Sequence, residues 1–166
     1  MTHGRKPRSR RHVAQNPIGL AKDYATKLTR SELDQVMDPL RDAVAALRRG
    51  VATEFEWMVA VTAVNIADAI ESQRVVRGLA GHIKEIDRAL EGIRARAMSS
   101  GAWRAPALYY EERDSMDLLV DLHGYQLSNL SFGEFGRARD KAIAQTACAG
   151  GRVVHEIGEP DRGAYA

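Results

Sequence analysis

Apolar residues along this chain recur three and four positions apart and almost never alternate, the pattern of amphipathic helices rather than strands. Leu40, Val44 and Leu47 make the first stripe; Gly50 closes it. Asp38-Pro39 is the expected opening, since the carboxylate can cap free backbone N–H groups and proline's fixed φ suits a first helical position. Thr53, with Glu56 three residues on, has capping-box spacing and predicts a second helix along Phe55, Met58, Val59, Thr62, Ile66, Ala69 and Ile70. Gly78 and Gly81 bracket a break. Leu79, Ile83, Ile86, Leu90 and Ile93 then line a third helix up to Ser99-Ser100-Gly101.

Pro106 is expected to open a fourth helix, striped by Tyr109, Met116, Leu119, Val120, Leu127 and Leu130. Ser131 and Glu134 repeat the capping-box spacing before a short fifth helix reaching Ala147, which Gly133 and Gly136 weaken. The first 29 residues carry Pro7, Pro17 and Gly19 with little periodicity, and the tail from Gly150 is rich in Gly and Pro. The expected architecture is all-α. A single bundle of four to five helices spans residues 30–149, between a disordered basic N-terminal arm at 1–29 and an irregular C-terminal tail at 150–166, in which Val153 and Val154 form at most a short extended segment.

A length of 166 residues with 45% apolar content suffices for one domain with a real core. The lone Cys148 has no partner for an internal disulfide, which points to a reducing cytoplasm. Arg10-Arg11 resembles a twin-arginine pair, but Asn16, Pro17, Lys22 and Asp23 interrupt where the apolar stretch of an export signal belongs. The most apolar run, Trp57 to Ala67, is eleven residues and too short for a bilayer, which takes about 20.

Charge changes the picture most. Arg5, Lys6, Arg8, Arg10 and Arg11 fall within the first twelve residues with no acid among them, while the chain as a whole sums to +2. Clustered cations of this kind gain free energy by releasing counterions from a phosphate backbone, without needing base contacts. They are the candidate nucleic-acid-binding residues; a solubilising tail is the alternative. A helix-turn-helix built on Gly50 is disfavoured, since Glu56 would occupy its apolar packing position.

Three polar residues lie on or beside apolar stripes. Asn65, His123 and Gln126 are expected to form a buried polar network that fixes helix register, because an unpaired polar group out of water costs about 1–3 kcal/mol. Glu111, Glu112, Asp114, Asp117 and Asp121 read as a solvated acidic face, since no matching Glu-x-x-His supplies the second half of a metal site. Trp103, Arg104, Tyr109 and Tyr110 gather aromatic and cationic side chains of the types favoured at protein interfaces. No phosphate-binding glycine loop or serine nucleophile elbow occurs, and Cys148 has no histidine placed to activate it. No catalytic residue, metal, cofactor or small-molecule substrate is expected.

Asn65-Ile66-Ala67-Asp68-Ala69-Ile70, Leu122-His123-Gly124-Tyr125-Gln126-Leu127 and the Asn16-Pro17-Ile18-Gly19 entry after the basic arm resemble uncharacterised small helical proteins encoded on proteobacterial prophages and plasmids. The resemblance covers residues 5 to 147. It implies an accessory protein of a mobile element and brings no catalytic residue with it. The expectation is a non-enzymatic regulatory binding protein that touches nucleic acid or a nucleoprotein complex through its arm. The alternative is a protein–protein interaction module, as a homodimer or an inhibitor of a host factor, that binds no nucleic acid.

Overall fold

The computed structural model describes residues 17–149, and the regular structure among them is helical: α1 (Pro17–Ala25), α2 (Arg30–Arg49), α3 (Glu54–Ser72), α4 (Ala80–Ala97), α5 (Tyr110–Asn129) and α6 (Phe132–Cys148). Five long helices form the bundle, and α1 is a nine-residue addition to it. The basic residues at 5–11 and the tail from Gly150 lie outside the described residues.

Helix α3 is the centre. It packs against α2, α4, α5 and α6, and its buried residues Val59, Ala60, Ala63, Val64, Ile66, Ala67, Ala69 and Ile70 take up more than half of the helix circumference, leaving Asn65 and Asp68 on the remaining side. So wide an apolar face is stable in water only when several neighbours cover it. Its alanines also let those neighbours approach closely. Around it, Leu40 and Leu47 of α2, Ile86, Leu90 and Ile93 of α4, Met116, Leu119 and Leu127 of α5 and Phe135 of α6 complete one continuous core.

Both predicted capping boxes are present. The Thr53 hydroxyl accepts from the Phe55 N–H (3.2 Å) while Glu56 takes the Thr53 N–H (2.7 Å), and Ser131 with Glu134 does the same for α6. Three boundaries differ from expectation. Helix α2 starts eight residues before Asp38, from a third box in which Thr29 accepts the Glu32 N–H and Glu32 takes the Thr29 N–H (2.8 Å). Pro39 therefore sits inside the helix, where its ring nitrogen gives no hydrogen bond to the Gln35 carbonyl. That loss is offset by burial, since Val36, Met37 and Leu40 on either side are almost wholly excluded from water. The segment after Pro106 stays non-helical up to Tyr109, so α5 begins four residues late.

The third correction concerns the arm, whose expected limit at residue 29 is too long. Residues 17–25 are helical and pack on α6; the Phe132 N–H donates to the Thr26 carbonyl (2.8 Å), beside a bridge between Lys27 and Ser131. Tyr24 meets Phe132 edge-to-face at 5.8 Å. The recess that receives Tyr24 exists because position 133 has no side chain. A Cβ there would stand 2.8 Å from Tyr24 Cδ1 and 3.0 Å from its carbonyl oxygen.

Paired substitutions in α6 test this seat. Gly136→Ala meets open space and should gain about 0.5–1 kcal/mol from helix propensity alone. Gly133→Ala should instead lose about 1–3 kcal/mol through overpacking, and amide exchange should show protection lost over residues 17–25. Urea titrations of the two variants read the opposite signs.

Candidate functional site

One end of the bundle, its head, is built by the α2–α3 turn, the end of α4, the start of α5 and the connecting segment 98–109. Gly101, at φ 81°, turns the chain after α4, and the Arg104 N–H donates back to the Ala97 carbonyl (2.9 Å). That return places Trp103 across the head. Its indole N–H donates to the Ala52 carbonyl (2.8 Å), and its ring lies 6.0 Å from that of Trp57 at a tilt of 48°. Trp57 is fixed in turn by its own N–H to the Leu90 carbonyl (2.9 Å), with the Arg94 guanidinium 5.3 Å from its ring centroid. Trp103 thus fastens the connection to the α2–α3 turn.

Beneath it sits the strongest polar contact of the head. Arg96, in the last turn of α4, grips Glu112 of α5 through both guanidinium nitrogens (2.7 and 2.5 Å). Glu112 is only 8% exposed and also accepts the Tyr109 N–H (2.8 Å), so one carboxylate neutralises a cation and closes a helix N-terminus. The Arg96 guanidinium stands 4.1 Å over the Tyr109 ring, a cation–π contact. The hydrogen bond to Glu112 holds the Arg96 pKa above its ordinary value, against the opposing pull of burial. Sequence reasoning missed this clamp, because residues sixteen apart on different helices share no spacing rule.

The four aromatic and cationic candidates therefore divide. Trp103 is half-buried and structural, whereas Arg104 is exposed, Tyr109 keeps 60% of its surface in water and Tyr110 keeps 79%. Two consecutive tyrosines so exposed, the first with the Arg96 guanidinium on its ring, suit an interface better than a core.

The acidic face is also divided. Glu112 turns inward, Asp117 pairs with Arg48 of α2 (2.7 Å), and Glu111, Asp114 and Asp121 are exposed. Among the described residues, no three His, Cys, Asp or Glu side chains converge as metal ligands, and no helix is long and apolar enough to cross a membrane. Cys148 is exposed in the last turn of α6.

Asn65, His123 and Gln126 do not join into one network. Asn65 reaches the Thr146 hydroxyl of α6 (3.4 Å), away from the other two. Gln126 is fully buried in α5 and donates to the Ala67 carbonyl of α3 (3.0 Å), while its side-chain oxygen has no partner. His123, one turn back, is fully buried with neither ring nitrogen hydrogen-bonded. Gln126 lies near enough to favour charge on the ring, but without hydrogen-bonding geometry. Desolvation dominates and pushes the His123 pKa down to about 4.

Comparison with known protein families, curated proteins and solved structures returns no match to this chain.

Two measurements follow. In the unfolded chain His123 titrates near 6.5, so between that value and pH 4 the unfolded state binds the extra proton. Its stability contribution is complete above pH 6.5 and falls by about 3 kcal/mol as pH drops to 4. Chemical denaturation across this range should be steep for the native chain and shallower for His123→Leu, which also removes two unpaired polar atoms and should be no less stable at pH 7. Glu112→Gln leaves Arg96 half-buried without its counter-charge and should cost about 2–3 kcal/mol at pH 7 by the same assay.

Proposed function

We propose that this chain is a non-enzymatic, cytoplasmic binding protein, an accessory factor of a phage or plasmid, whose Arg5, Lys6, Arg8, Arg10 and Arg11 contact nucleic-acid phosphates. The single observation that supports this reading is the separation of charge. Residues 1–16 hold 5 of the 24 basic groups and none of the 22 acids; residues 150–166 hold 2 basic groups and 3 acids, leaving 17 against 19 in the bundle, a sum of −2. Several of the bundle's cations are also engaged, Arg41 with Asp38, Arg48 with Asp117 and Arg96 with Glu112. A polyanion drawn to this molecule is attracted by the terminus and mildly repelled by the body.

A second reading has its own support in Tyr109, Tyr110 and Arg104, which offer an exposed surface of interface type to a protein partner. The two readings use different residues and are separable.

Fluorescence anisotropy with a labelled duplex and a labelled single strand, across a salt series, tests the first. If all five basic residues meet phosphate, log Kd against log salt should have a slope magnitude of about 4 to 5 on duplex. Changing the five to Gln should flatten it and weaken binding. Retention of the native slope would exclude the arm. For the second reading, Tyr110→Ala with Arg104→Ala should leave the fold intact and abolish capture of a host protein that the native chain retains.

A further inference from the structure

Between α2 and α3, on the side of the bundle, lies a cleft of about 340 Å³. Its apolar lining comes from Pro39, Ala43, Ala46 and Val59, with Phe55 at one side. The small alanines create the depth, and an apolar cavity of only about 150 Å³ already accepts a benzene ring. Phe55 keeps 43% of its surface in water beside Val51, which keeps 62%. An exposed phenyl next to an open apolar cleft is a knob beside a hole.

The charges of the cleft are complementary to themselves. Glu56 is committed to the Thr53 cap, which also lowers its pKa through the hydroxyl hydrogen bond. That leaves Asp42 and Arg49, both exposed and neither in an ion pair. They stand seven residues apart on α2, two turns, and so on one face.

From these features we propose that the cleft receives a second copy of this chain in a two-fold symmetric dimer, with the α2 helices antiparallel across the axis. A two-fold axis passing between Ala45 and Ala46 lays Asp42 of each copy against the partner's Arg49, twice. The same operation fixes the apolar contact. Phe55 belongs to the Arg49 end of the cleft, close to the α2–α3 turn, whereas Pro39 and Asp42 form the other end. Antiparallel pairing carries each Phe55 over the Pro39–Ala43 part of the partner's cleft. One register thus satisfies the charges and fills both holes. A peptide partner would need the cleft but not this self-complementarity.

Sedimentation velocity of the full chain over a concentration series tests the proposal, with circular dichroism confirming that each variant is folded; all the altered side chains are exposed. The native chain should dimerise. Asp42→Arg alone opposes Arg to Arg across the axis, and Arg49→Asp alone opposes Asp to Asp, so each should weaken the dimer by roughly tenfold or more. The double variant restores two opposite-charge pairs and should recover native affinity. Phe55→Ala should weaken the dimer without rescue by the charge swap. A native chain that stays monomeric at all concentrations overturns the proposal. So does a dimer indifferent to Asp42→Arg, or single-variant losses that the double variant does not repair.

Discussion

A helix whose apolar face is wider than half its circumference must be covered by several neighbours, and that requirement on α3 organises the whole protein. From Trp57 to Ala67 it carries no charge, and standing alone it would turn apolar side chains to water over most of its circumference. Four neighbours are needed to cover it, and α2, α4, α5 and α6 are those four. Each of the four can therefore keep a broad polar face in water, and all four are on average far more polar than α3. The polar clamps then work at the periphery: Arg96 with Glu112 fastens α4 to α5, Arg48 with Asp117 fastens α2 to α5, and the Gln73 amide reaches the Glu134 carbonyl to fasten α3 to α6. Burial gathers the helices, and these contacts select one arrangement of them.

The stripes and the capping boxes at Thr53 and Ser131 were legible because both are local rules with fixed spacing. Thr29 with Glu32 obeys the same rule, but Asp38-Pro39 offered a competing start, and no local rule distinguishes a proline that opens a helix from one that burial holds inside it. Helix α1 was illegible for a different reason. Its seat is a recess made by a glycine more than a hundred residues away, and a missing side chain leaves no signature until the chain folds. Of the candidate site, the exposure of Tyr109 and Tyr110 agrees with their aromatic–cationic setting, while Trp103 turned out to be a fastening because Ala52 presents a carbonyl that only the fold brings near.

His123 and Gln126 illustrate the limit of reasoning from polarity. Their positions on an apolar stripe indicate burial correctly, and burial suggests a partner, since an unpaired polar group out of water is expensive. The partner is absent for both imidazole nitrogens and for the Gln126 oxygen. The chain carries that cost within its core, so its stability depends on acidity in a way that its surface charges do not dictate.

The seat of α1 has a consequence for reach. Thr26 meets Phe132 at the foot of the bundle, where α5 gives way to α6, whereas Trp103, Tyr109 and Tyr110 occupy the head, where α4 gives way to α5. The twenty residues of α2 measure the distance between these ends at about 30 Å. The chain's N-terminal approach is thus anchored a full helix length from the tyrosine surface. Side chains at the two ends therefore stand well beyond contact reach of one another, and neither surface can form part of the other.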